Sequence, residues 1–272
     1  NGAQIDASAI NSTLEFAGTS ATQYLPASAL FENKVFNLNV KNPQNVVLSG
    51  TVRLLNALTA ETGVLDASTN QPTLILGGSV LQNISGTMLL LGKVYNLTID
   101  NSAGAVLTGN MFVENDLTLQ QGDISTGTYT LFLQGSTVGL GGYIKTNVSS
   151  GRIAYTGSSA QTIRRIKDNT ANALLITNTS SEGATLIGND NSFGDLNTFN
   201  SVSIAANSIL NVEAGDKLTV NNSLTNEGTF RLLSNSDGTA TLLTHGSITT
   251  NQGTYKVQQY LTGSNNGTAP DG

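Results

Sequence analysis

Apolar residues along this chain come in twos and threes at alternate positions, as in Phe36/Leu38/Val40, Val52/Leu54 and Leu74/Leu76, with Gly, Asn, Ser and Thr between the groups. That two-residue alternation predicts strands. The stretch 97–133 shows the spacing most plainly: Leu97/Ile99, Val106-Leu107, Met111/Val113, Leu117/Leu119, Ile124 and Leu131/Leu133 follow one another with short polar turns between. No segment of helical period interrupts them, so the chain reads as all-β.

A long phrase is written twice, and it decides between the all-β architectures. Thr13-Leu-Glu-Phe-Ala-Gly-Thr answers to Thr73-Leu-Ile-Leu-Gly-Gly-Ser, and from Lys34 to Thr69 the chain aligns with Lys93 to Thr128 without a gap, 13 of 36 positions being identical. A worn third copy begins late: Ile153-Ala-Tyr-Thr-Gly-Ser-Ser-Ala repeats the phrase from Leu14, and Leu174-Leu-Ile-Thr-Asn repeats the phrase from Leu97. A sandwich has no need to restate itself, whereas a solenoid does. The expectation is a right-handed parallel β-helix (β-solenoid) of about 20 residues per coil, three coils and nine strands filling each repeat of about 60 residues. It should occupy 1–262, with units beginning near 13, 73 and 152 and shorter coils from about 199. Residues 1–12 would cap the first coil, and 263–272, with no side chain larger than Ala or Pro among the apolar ones, read as a linker to a following module.

Asparagine recurs at equivalent points, Asn37/Asn96, Asn42/Asn101 and Asn56/Asn115. Two roles are expected: left-handed corners, which Asn tolerates, and ladders in which one Asn bonds to another a coil away. On this reading Leu97→Asp would bury an unpaired carboxylate, while Asn101→Asp, at a turn, would be mild.

Composition narrows the function classes. With 38% apolar and 11% charged residues, core material is ample. The net charge of −6, with 12 scattered basic residues, argues against nucleic acid as a partner; Arg164, Arg165 and Lys167 form one short cluster. Cysteine is absent, so neither disulfides nor thiolate metal sites hold the fold. No apolar run approaches the ~18 residues of a transmembrane segment. The start at Asn1 suggests a processed form or an excised piece.

Candidate chemistry is sparse. His245, the one histidine, lies beside a turn in Thr-His-Gly, and no nucleophile-elbow motif accompanies it. β-Helical polysaccharide lyases and hydrolases need converging carboxylates; Glu114/Asp116/Asp123 and Asp190/Asp195 are the candidates, against the plainer reading of solvated substitutions. Asn189-Asp-Asn-Ser-Phe-Gly-Asp195 offers oxygen ligands for Ca²⁺ near Asp190 and Asp195 but lacks the EF-hand order. Tyr129, Tyr143 and Tyr155 could stack on sugars, although Tyr155 aligns with Phe16 at a core position. The expectation is no catalytic residue, no cofactor and no resident metal.

The phrases Leu218-Thr-Val-Asn-Asn-Ser-Leu-Thr-Asn-Glu-Gly-Thr-Phe-Arg-Leu and Tyr255-Lys-Val-Gln-Gln-Tyr-Leu-Thr-Gly resemble large cell-surface proteins of Bacteroidota exported by the type IX secretion system, and Asn-Leu-Thr-Ile-Asp-Asn101 is similar to their repeats. The resemblance implies the β-helical stalk of an adhesin, including gliding-motility adhesins. It implies an extracellular, cell-surface location, polysaccharide or a solid surface as partner, and type IX machinery engaged through a domain outside these residues. Asn226-Glu-Gly-Thr and Asn251-Gln-Gly-Thr also look like coils of haemagglutinin-type adhesins. The function expected is therefore a non-catalytic stalk or binding module. The alternatives are a polysaccharide-degrading β-helix and a passive spacer.

Overall fold

A computed structural model describes residues 3–139, 141–146, 149–167, 171–188, 197–236 and 238–258. Asp190, Asp195 and the linker 263–272 lie outside the described residues. The alternating strands pair in parallel and stack coil upon coil, making a β-solenoid of about 11 turns and about 22 residues per turn. At ~4.8 Å per coil the rod is ~50 Å long. Among the described residues helix is limited to two 3₁₀ turns, Ala27–Ala29 and Gly86–Met88, and one antiparallel pair, Ser234–Asn235 with Gly238–Thr239, interrupts the parallel order.

The coils enclose three faces. Face one begins with Thr13–Phe16, on which 37–40 and then 57–60 stack; Gln82–Ile84 packs next, followed by Ala105–Leu107, Ile124–Ser125 and Ile144–Lys145. Face two runs from Gln23–Pro26 through Val46–Ser49, Leu65–Ala67, Leu89–Val94, Met111–Val113, Thr130–Leu133 and Arg152–Tyr155 to Ala171–Ile176. Face three carries 51–54, Thr73–Leu76, Asn96–Asp100, Leu117–Gln121 and Thr137–Val138, then Gln161–Ile163 and Ala184–Leu186. Inward positions repeat down each face. Leu54, Leu76, Ile99 and Leu119 form one column, and Val113, Leu133, Tyr155, Ile176 and Ile204 form another, all buried. Each fully buried Leu or Ile is worth ~1.5–3 kcal/mol, so a continuous apolar axis holds a chain that has no disulfide.

The repeat is not a whole number of coils. Counting strands from Thr13–Phe16, through both halves of the bent strands Leu30–Val40 and Thr51–Ala60, brings the copy at Thr73–Leu76 eight strands later rather than nine. At three strands per turn that is 2⅔ turns, so the second copy sits one face round from the first. From Thr73–Leu76 to the third copy at Arg152–Tyr155 is eleven strands, 3⅔ turns. The late start of the third copy is therefore one additional coil, and the same rotation is kept.

The repeated asparagines divide into two kinds. Asn56 Nδ2 donates to Asn37 Oδ1 at 2.8 Å, and Asn115 Nδ2 to Asn96 Oδ1 at 2.9 Å, so the expected ladder is present at both pairs. None of the six repeated positions has positive φ; among the described residues the left-handed asparagines are Asn11, Asn33, Asn45, Asn70 and Asn207. Asn42 and Asn101 are instead completely buried. The mild outcome expected for Asn101→Asp is accordingly overturned, because the side chain is held inside a corner rather than at a solvated turn.

Candidate binding groove

Each copy builds the same corner. A glycine-containing loop leaves the first strand and returns on a glutamine whose Oε1 accepts the N–H of the loop glycine: Gly18 to Gln23 at 3.1 Å, Gly78 to Gln82 at 3.2 Å, Gly157 to Gln161 at 3.0 Å. One coil on, an asparagine locks that corner. Asn42 donates to Gln23 Oε1 and Ala21 O, Asn101 to Gln82 Oε1 and Val80 O, and Asn178 to Gln161 Oε1 and Ser159 O, all at 2.7–3.0 Å. Each asparagine Oδ1 then accepts the N–H two residues on, from Gln44, Ala103 and Ser180. Two further carbonyls in each of the last two copies accept from the glutamine Nε2: Leu54 and Asn56 from Gln82, Leu133 and Gly135 from Gln161. Buried amides with this many partners stabilise rather than cost.

Because the copies rotate, the three loops emerge at different edges of the prism. Residues 17–22 turn between faces one and two, 77–81 between faces three and one, and 156–160 between faces two and three. Beside the second loop the recess is filled: the Arg53 guanidinium lies against Gly77 and pairs with Asp100 at 2.6 Å. Beside the third loop it is open. The two preceding corners, 114–116 and 134–136, are three residues long, and the five-residue loop 156–160 follows them at the same edge. The result is a groove of about 410 Å³ lined by Glu114, Asn115, Asp116, Gln134–Ser136 and Thr156–Ala160. Gly135 forms part of its floor; a Cβ there would overlap the Asn115 carbonyl, so the coils could not close up.

The carboxylates in the groove are engaged. Glu114 Oε1 accepts from Lys93 Nζ at 2.8 Å and Oε2 accepts from the Ser68 hydroxyl. Burial pushes the Glu114 carboxyl up, but the bonds from Lys93 and Ser68 outweigh it and hold the group below its ordinary value, ionised. Asp116 Oδ1 accepts the Ser136 N–H at 3.2 Å. Asp123 stands at another edge, between faces three and one, where it pairs with Lys145 and accepts the Tyr143 N–H at 2.8 Å. The groove thus unites Glu114 and Asp116 and leaves Asp123 out.

The remaining sequence candidates are placed as follows. His245 is exposed, its backbone N–H bonded to Val220 O at 2.9 Å. Tyr155 is wholly buried; its hydroxyl bonds Thr137 Oγ1 at 2.9 Å, and burial pushes the phenol far up. Tyr143 lies under Arg165, 4.2 Å from ring centroid to guanidinium carbon, with Lys167 at 5.5 Å, so its ring face is already covered. Tyr129 is partly exposed at the edge between faces one and two. Among the described residues no three His, Cys, Asp or Glu side chains converge as a metal site, and no helix is long and apolar enough to cross a membrane. Gln134, Ser158 and Ser159 escaped the sequence reading. The signal available was a glycine followed four or five residues later by glutamine in each copy, Gly18/Gln23, Gly78/Gln82 and Gly157/Gln161, which marks a built loop rather than an ordinary turn.

No family model matches the chain, and neither the curated proteins nor the solved structures contain a match.

Proposed function

We propose that the chain is a non-catalytic stalk or binding module of a secreted cell-surface adhesin, serving surface attachment or gliding motility at the outer face of the cell. The observation that carries this reading is the architecture itself: a long, disulfide-free rod that repeats one corner module and presents it at successive edges. Such a molecule offers reach and a repetitive lateral surface. The likeness of 218–232 and 255–263 to type IX-exported surface proteins supports the same reading. It implies that secretion is directed by a domain outside these residues, and that the partner is extracellular polysaccharide or a solid surface.

The groove speaks against a hydrolase. General acid catalysis on a glycosidic bond needs a carboxylic acid held protonated, with a second carboxylate opposite. Glu114 is instead held ionised by Lys93, and Asp116 is capped by a backbone N–H. The test is to incubate the purified chain with extracellular and algal polysaccharides and to record retention together with newly formed reducing or unsaturated ends. Retention without product is expected. Product would replace this reading with a polysaccharide-degrading enzyme, and neither signal would leave a passive spacer.

A further inference from the structure

The groove beside 156–160 has free polar groups on its rim and an apolar platform next to it. The Gln134 amide and the Ser158 and Ser159 hydroxyls carry no side-chain hydrogen bond to other described residues, and Asp116 spends one carboxylate oxygen on Ser136. An ionised carboxylate offers acceptors, and an amide offers both a donor and an acceptor. That combination suits the adjacent hydroxyls of a sugar ring. Two residues before Glu114 and Gln134, on the outer side of face two, Phe112 and Phe132 stack with centroids 4.3 Å apart and planes 10° from parallel. Both are partly exposed, and the next rung of the ladder, Ala154, is buried, so the platform consists of the two rings. Two strand residues span ~7 Å, so this platform lies within one sugar unit of the groove's edge.

Charge selects among glycans. Glu114 and Asp116 line the groove, and no Lys or Arg does; Lys93, which reaches Glu114, is already paired to it. A uronate or sulfate would bring a third negative charge beside Glu114 and Asp116, with no cation in the lining to receive it. A volume of about 410 Å³ falls in the ~300–1,000 Å³ range of small-ligand sites, and its lining is polar where most such sites are apolar.

We propose that the groove and the Phe112–Phe132 pair bind an uncharged polysaccharide, with Asp116 and Gln134 holding the hydroxyls of one sugar and the two rings supporting the C–H face of the next. The site is shallow, so single contacts are weak and attachment depends on a polymer engaging many rods at once. This site rests on the reading of the protein as an adhesive surface module.

Affinity electrophoresis of the full chain tests it, in gels containing laminarin, xylan or mannan as uncharged probes and alginate or polygalacturonate as charged ones. Wild type is expected to be retarded by at least one uncharged glycan and not by alginate. Gln134→Ala and Phe132→Ala should each weaken that retardation about tenfold, the worth of one or two hydrogen bonds or of a lost ring contact. Gln134→Arg should reduce it further and introduce retardation by alginate. Circular dichroism melts of the same variants check that the fold is kept; the Gln134 side chain bonds no other described residue, and its backbone bond to Val113 O is kept in Gln134→Ala. If wild type is retarded by an uncharged glycan and Gln134→Ala and Phe132→Ala behave like it, the site is wrong and the adhesive reading stands. Preference for alginate or polygalacturonate overturns the charge argument and with it the proposal. No retardation by any probe overturns both the site and the binding role, leaving a spacer.

Discussion

Asn101→Asp swaps one nitrogen for an oxygen, and the buried corner predicts that it is among the worst substitutions on the rod. Asn101 Nδ2 donates at 2.7 Å to Val80 O and at 2.8 Å to Gln82 Oε1, while Oδ1 accepts from Ala103 N at 2.9 Å. An aspartate keeps the last bond and turns two donors into an acceptor that faces two acceptors. Gln82 Oε1 keeps the Gly78 N–H, but Val80 O loses its Asn101 donor and the new carboxylate oxygen finds none; at ~1–3 kcal/mol for each such buried group the cost is ~2–6 kcal/mol before the desolvation of the carboxylate is added. Against a total stability of ~5–15 kcal/mol this is a large fraction. At ~2–4 °C per kcal/mol for a chain of this size, a melting temperature lower by ~10 °C or more is expected at pH 7. Asn115→Asp is the control. Asn115 gives up one bond, to Asn96 Oδ1, and Asn96 Oδ1 still accepts from Asp116 N, so the cost is ~1 kcal/mol. The pH dependence has a definite sign. Burial among acceptors raises the folded pKa of the introduced carboxyl above its unfolded value of ~3.9, so the penalty is full at neutral pH and shrinks as pH falls through the folded pKa. Thermal melts of both variants at pH 7 and pH 4 provide the assay. An Asn101→Asp protein melting within ~3 °C of Asn115→Asp at pH 7 would refute the buried clasp.

Other outcomes follow from the same geometry. Gly122→Ala, at φ +78°, would drive a Cβ into the Asn101 carbonyl and should cost ~3 kcal/mol or more, whereas Gly92→Ala, at φ +73° with Phe112 Cδ2 3.8 Å from the new Cβ, should cost only the ~1–2 kcal/mol of left-handed strain; urea midpoints rank the two. Burial pushes the Asp216 carboxyl up, against a 2.6 Å hydrogen bond from Gly188 N that pulls it down. Its favourable contribution is thus present at low pH and lost as pH rises through the folded pKa, so Asp216→Asn should melt above wild type at pH 7, the gap closing below pH ~4.

The strand order, the parallel stacking and the core columns were legible because alternation and repetition are properties of the sequence itself: Leu54, Leu76 and Ile99 announce an inward face without any knowledge of the turns. The repeat length in coils was not legible. A period near 60 residues divides into three coils of 20 as readily as into 2⅔ coils of 22, and corner length decides, as with Asn37 following Val35 round one bend while 77–81 fill another. Asn101 was misplaced for a related reason. Its sequence neighbourhood is that of a turn, and burial comes from a loop one coil away whose equivalence to 17–22 and 156–160 is visible only once Gln23, Gln82 and Gln161 are superposed. The candidate groove was half-visible: Glu114 and Asp116 stand out in the sequence within the group Glu114/Asp116/Asp123, but the step in corner length that opens the space depends on three coils together. Asp123 was grouped with them by sequence proximity, and a parallel coil sends residues seven apart to different edges.

The central claim is that the rod turns its repeated module by one face per copy, so that the loops are displayed at successive edges. Ser20 and Ser79, both exposed and both three residues before the clasp glutamine, report on it directly, since the chain contains no cysteine and the two positions can be replaced by cysteine and spin-labelled. Pulsed dipolar spectroscopy should give a separation of about 20–25 Å, combining ~13 Å along the axis for 2⅔ turns with the width of one face. A separation near ~14 Å, the height of three whole coils along a single edge, would contradict it.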